Sequence, residues 1–144
     1  MTLYRHFASK DDLIVEHLRV SADDFWEWFD GSMSHATDPR EKIYALFDAL
    51  EDRCRSALCA GCPFQAAAIE FPDRNHPVHR LVREHKQTLR DRLETLVRDT
   101  GVRHSGAVAN QLILLMEGAL ASVRYLSLPV PAREAADAVR TLLA

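Results

Sequence analysis

Apolar positions recur every three or four residues through nearly the whole chain, and no stretch of any length alternates with a period of two. That spacing lines up side chains on one face of a helix, so the expected fold class is all-α. The first helix is expected from about Ser9 to about Asp30, with Ile14, Leu18, Ser21, Phe25 and Trp28 on one stripe. The second begins at Asp38 and Pro39, where an N-cap acid, a proline at the first helical position and Glu41 three residues after the cap coincide. Its stripe is Ile43, Phe47, Leu50 and Cys54. Residues 59–63 break the pattern, and a short helix follows from Phe64 to about Phe71, closed by Pro72. A fourth helix is expected from His76 and Pro77 to about Asp99. Leu81, His85, Leu89, Leu93 and Leu96 mark its buried side, and Arg83, Glu84, Arg90 and Asp91 its solvent side.

The next helix, about Ser105 to Ser127, differs in kind. Residues 112–116 (LILLM) place apolar groups on every side, and a helix apolar all round must be covered all round. In a domain of this size one side meets the core and the other a partner chain. The last helix, about Ala132 to Leu143, carries small residues suited to close packing. Two such helices from each of two protomers make a four-helix seam with two-fold symmetry. The residues expected in that homodimer interface are Leu112, Leu115, Ala119, Val123, Ala135, Val139 and Leu142, with Gly118 permitting close helix approach.

A chain of 144 residues that is 47% hydrophobic can bury one real core. Its formal net charge of −3 argues against the body being a nucleic-acid surface. Residues 112–116 are too short an apolar run to cross a bilayer, residues 1–13 do not read as a signal peptide, and three cysteines do not make a secreted disulfide framework. A soluble, cytoplasmic protein without membrane contact is expected. No G-x-S-x-G elbow, P-loop, dinucleotide fingerprint or H-E-x-x-H occurs, so no enzymatic activity and no cofactor are expected.

Residues 2–13 (TLYRHFASKDDL) are locally basic. Thr2, Tyr4, Arg5 and His6 can bond to phosphates or base edges. Leu3 and Phe7 share one helix face, and Ser9 with Asp12 forms the cap of a new helix. Lys10 sits against the unfavourable end of that helix's dipole, which a phosphate lying there would explain. On residues alone the stretch serves equally as the end of a DNA-reading helix or as an amphipathic turn before a well-capped helix.

The pattern Thr-Leu-Tyr-x-His-Phe-x-Ser-Lys-Asp-x-Leu resembles the signature that closes the DNA-binding domain of TetR-type (TetR/AcrR) transcriptional regulators. A second stretch, residues 61–72 (GCPFQAAAIEFP) with His76 and Pro77 after it, looks like the ligand-binding body of many members. The resemblance implies all-α homodimers whose last two long helices form the interface. It also implies a helix-turn-helix remnant over residues 1–12, which lacks the two helices that precede the motif in the family. Residues 13–144 would form the ligand-binding and dimerisation domain. Thr2, Tyr4 and His6 would lie on the recognition helix and Lys10 would touch backbone phosphate of operator DNA; Arg5, at an open position of the pattern, joins this expected DNA-binding set on its own chemistry. The implied function is a ligand-responsive regulator, most simply a repressor, whose operator binding is relieved by a small-molecule effector. The alternative is a headless helical module that binds ligand or dimerises without DNA.

Within the body, Glu117 is conspicuous because a carboxylate inside the most apolar helix must pair, protonate or face a cavity. His85 falls on a buried stripe, as a satisfied core group or as a pocket wall. Trp26, Phe29, Phe47, Phe64 and Met116 are expected to wall an apolar pocket, with Gln65, His85 and Glu117 as polar handles; each alone reads equally as core. Cys54, Cys59 and Cys62 admit a thiol- or metal-responsive sensor, against which stand three structural cysteines. No metal site is expected.

Overall fold

Capping residues set the helix boundaries. In the computed structural model, which describes residues 6–56, 59–126 and 130–144, α1 (Lys10–Ser32) begins behind Ser9. The Ser9 Oγ accepts the Asp12 amide at 3.1 Å and donates to the Asp12 carboxylate at 2.8 Å. Ahead of α2 (Pro39–Arg55), Asp38 Oδ1 accepts the amides of Arg40 and Glu41 at 2.9 and 3.1 Å. The short α3 (Pro63–Glu70) and the long α4 (Pro77–Asp99) also start on proline, whose fixed φ suits a first helical turn. At α4 the His76 Nδ1 accepts the Val78 amide at 3.2 Å. Two more helices, α5 (Ser105–Leu126) and α6 (Val130–Leu142), complete the chain, and no strand occurs among the described residues.

In the middle of the bundle lie α2 and α4. The first packs on α1, α4, α5 and α6, the second on α1, α2, α3 and α5. Ile43, Leu46, Phe47 and Leu50 of α2 and Leu89, Leu93 and Val97 of α4 are all fully buried, and the two helices pack on one another. Charged side chains tie helix to helix around this core. Arg140 of α6 donates to both oxygens of Asp48 on α2 at 2.8 Å, Arg92 of α4 pairs with Asp30 of α1, and Arg90 of α4 bonds Asn110 of α5 at 3.0 Å.

Two expectations are corrected here. Leu112, Ala119, Ala135 and Val139, expected at a dimer seam, are buried inside the protomer, because α5 and α6 turn those faces onto α2, α4 and each other. The outward apolar positions are different ones. Leu114 is 71% exposed, and with Gln111, Leu115, Ala138, Thr141 and Leu142 it lines an open groove of about 570 Å³ along α5 and α6. Leu115, Val123 and Leu142 are half-buried. Gly118 does not serve a close approach within the protomer; a Cβ added there would meet nothing.

The second correction concerns length. As a helix, Ser105–Leu126 is long and apolar enough to cross a membrane by composition. Its apolarity is accounted for by core contacts on one side and the open groove on the other.

Candidate ligand pocket

One face of α1 carries Ser21, Asp24, Phe25 and Trp28, which are three or four residues apart and therefore stacked along a single stripe. This stripe stands over a cavity of about 100 Å³. Leu50 and Arg53 of α2 close one side, Phe64 and Lys86 of α3 and α4 another, and Met116, Glu117 and Leu120 of α5 form the far wall. The cavity thus lies where five helices converge, and the rings of Phe25, Trp28 and Phe64 give it flat apolar walls.

Its polar floor is a closed network. The Lys86 ammonium donates to Glu117 Oε1 at 2.5 Å and to Cys62 Sγ at 3.3 Å, and lies 5.6 Å from the Phe64 ring centre. The Gln65 amide donates to Glu117 Oε2 at 2.5 Å and to the Glu117 main-chain carbonyl at 3.1 Å. Glu117 therefore answers its burial inside an apolar helix by pairing. Lys86 keeps one N–H beyond these two bonds and borders the cavity.

Behind the aromatic wall stands His85. It is stacked on Phe64 at 3.8 Å with the rings 5° from parallel, and has Phe25 edge-on at 4.9 Å and Trp26 at 5.1 Å. Neither ring nitrogen has a hydrogen-bond partner. Burial, and secondarily the neighbouring Lys86 charge, lower its pKa from 6.5 to about 4, so the imidazole is neutral at physiological pH. Cys54 is held as a thiol. Burial first, then the adjacent Cys59, raise its pKa to about 11. Among the described residues no group of three or more His, Cys, Asp or Glu side chains is placed to hold a metal ion.

Gly61, at the bend into α3, has φ +87°, and a Cβ there would lie 3.1 Å from both the Leu120 carbonyl and the Arg124 side chain. Only glycine meets both conditions without displacing a neighbour. Beyond it the cavity opens into an outer recess of about 520 Å³, which shares Ser21, Arg53, Gly61, Cys62 and Pro63 and adds His17, Ala66 and Arg124.

The expected site residues divide. Phe64, Met116 and Glu117 line the cavity. Gln65 and His85 stand one layer back, each contacting a lining residue. Trp26, Phe29 and Phe47 do not line it. Phe47 is fully buried among the helices, Phe29 borders a separate surface groove with Met33 and Arg92, and Trp26 packs on Phe29 and His85. Ser21, Phe25 and Trp28 were legible from helical spacing as one stripe of the first helix, but Asp24, Lys86 and Arg53 carried no such signal. Of the residues expected to contact DNA, Thr2, Tyr4 and Arg5 lie outside the described residues. His6 and Lys10 are exposed, and Lys10 lies 3.7 Å from Glu70.

Known proteins share this architecture. A family model described as "Tetracyclin repressor-like, C-terminal domain" matches residues 39–139. The HTH-type transcriptional regulator YjdC of Escherichia coli (strain K12) is 29% identical over 119 residues, covering 82% of this chain and 62% of that protein. The chain therefore spans less than two thirds of the length of the curated relative it matches. Among solved structures, SCO4454, a TetR-family transcriptional regulator from Streptomyces coelicolor, superposes with a TM-score of 0.92 at 31% identity, over 99% of this chain and 75% of that one. A TetR transcriptional regulator from Chloroflexus aurantiacus superposes with a TM-score of 0.83 at 28% identity, over 96% and 74% of the two chains.

Proposed function

The chain belongs to the TetR family through its tetracyclin-repressor-like C-terminal domain, and on that premise we propose that it is the effector-binding and dimerising part of a cytoplasmic, ligand-responsive transcriptional regulator, acting as a repressor. Residues 1–12 are read as the closing part of a helix-turn-helix head, and residues 13–144 as the effector and dimer domain.

One observation carries this reading. The helix that enters from the head motif, α1, is also a wall of the cavity, through Ser21, Asp24, Phe25 and Trp28. A molecule seated against Phe64 and Met116 must push on or pull in that helix, and a tilt of α1 changes the spacing of two heads in a dimer. Two heads match successive major grooves only at one separation, roughly 34 Å. The effector thus acts by binding one spacing better than the other. Lys10 fits a phosphate-contacting role, because its partner Glu70 is itself well exposed and so weakly held. The outer groove of α5 and α6, centred on Leu114, is the surface we assign to the two-fold seam.

The test is a mobility-shift titration of the regulator with its complete head on the DNA preceding its own coding region, with and without a ligand that quenches Trp28 emission. The expected result is a retarded complex released by that ligand. Absence of specific DNA binding, or binding indifferent to an occupied cavity, would overturn the reading.

A further inference from the structure

The lining charges define the chemical class of the effector, an inference that rests on the pocket reading above. The inner cavity offers flat apolar walls and only about 100 Å³, less than the roughly 150 Å³ that holds benzene, so a ring seated there reaches out toward the outer recess. Of its two carboxylates, Glu117 is already answered by Lys86 and Gln65. The outer recess is different. It is bordered by Arg53, Arg124 and His17, with no carboxylate among its lining residues. In a chain of net charge −3, the opening of the cavity is a local excess of cations.

Helix ends account for part of this. Arg53 lies in the last turn of α2 and Arg124 in the last turn of α5, where a cation suits the dipole. They do not account for both arginines bordering one recess, nor for how each is held. Arg53 rides 5.0 Å from the Trp28 ring centre, so an arginine of the mouth rests on a wall of the cavity. The Arg124 stem lies against Gly61, whose missing Cβ leaves it that place. Arg124 makes no ion pair among the described residues, so its guanidinium is open to an incoming anion. The third N–H of Lys86 is available from the inner side.

We infer that the effector is a small amphipathic organic acid, with an apolar body of about one ring between Phe25, Trp28 and Phe64 and a carboxylate turned outward to Arg53 and Arg124. A planar guanidinium matches a carboxylate with two parallel N–H donors, so two such groups at a mouth select an anion over a neutral analogue of the same shape.

Isothermal titration calorimetry with benzoate, benzamide and benzylamine, three probes of one shape and three charges, tests this. Benzoate is expected to bind at least roughly tenfold tighter than benzamide, and benzylamine more weakly than either. Raising the salt concentration shrinks that preference. Arg124→Gln, and more fully Arg53→Gln with Arg124→Gln, removes it, while circular dichroism melting of these surface variants stays near wild type. Met116→Trp, which fills the cavity, abolishes binding of all three. Equal affinity for benzoate and benzamide, or a preference for benzylamine, would overturn the acid assignment and leave the cavity standing. If none of the three binds, the acid assignment and the pocket reading fall together.

Discussion

The two sides of α5 make the sharpest contrast in the molecule. Inward, Leu112 is fully buried, and Met116, Glu117 and Leu120 shape the cavity. Outward, Leu114 and Leu115 are as apolar as anything in the core, yet they line an open groove. One stretch of helix, LILLMEG, holds both. The difference shows that hydrophobicity by itself does not say what a position is for. On the inner side an apolar wall is interrupted by Glu117, whose carboxylate accepts one bond each from Lys86 and Gln65 and whose main-chain carbonyl accepts a second from Gln65, the arrangement expected of the proposed pocket. On the outer side no carboxylate lies among the residues that line the groove, the arrangement expected of the proposed two-fold seam.

Substitutions separate the two sides by size of effect on the protomer. Leu112→Ala removes a fully buried side chain where α5 meets its neighbours. It is expected to destabilise the fold by about 2–5 kcal/mol in urea unfolding, with the oligomeric state affected only through folding. The next largest effect is that of pH. Because His85 is held neutral, with a pKa lowered to about 4 against 6.5 in the unfolded chain, its contribution is complete above pH 6.5 and is lost as pH falls from there to about 4. The loss is bounded by about 3 kcal/mol. In His85→Phe the slope of stability against pH over that window should flatten, which a urea series at several pH values reads directly.

Smaller again is the polar floor. Lys86→Met leaves Glu117 with Gln65 as its remaining partner in a mostly buried place, and is expected to cost about 1–3 kcal/mol. The double change Lys86→Met with Glu117→Leu should recover much of that loss, since neither charge is then stranded. Gly61→Ala forces a side chain into left-handed backbone and against Leu120 and Arg124, for about 1–2 kcal/mol. If Gly61→Ala were neutral, the bend into α3 would not be fixed as described.

Much of this was legible in the chain, for local reasons. Ser9 with Asp12, Asp38 with Pro39 and Glu41, and His76 with Pro77 are short-range signals, and each helix they open begins at or next to the expected residue. The pocket was only partly legible. Phe64, Met116 and Glu117 line the cavity; Glu117 was legible because a carboxylate stands out in an apolar helix, and Met116 because it precedes it there. Lys86 was missed because a lysine on a helix rich in Arg83, Arg90 and Arg92 reads as solvent-facing, and its partner lies 31 residues away. Trp26 and Phe47 were misplaced because periodicity gives a side chain its helix face but not the element opposite. The same limit explains Leu112 and Ala119. An all-apolar helix gives no moment by which to say which of its faces looks outward.

The smallest effect on the protomer is expected to be the largest on the assembly. Leu114→Glu alters a residue that is 71% exposed and puts a charge at the centre of the proposed seam. Sedimentation equilibrium tests it most directly, because a dimer is what sets the spacing of two heads. The wild-type chain should sediment at twice its 16.3 kDa mass, and Leu114→Glu as a folded monomer with an unchanged helical spectrum. A wild-type monomer, or a variant that stays dimeric, would contradict the division of α5 into a cavity side and a seam side.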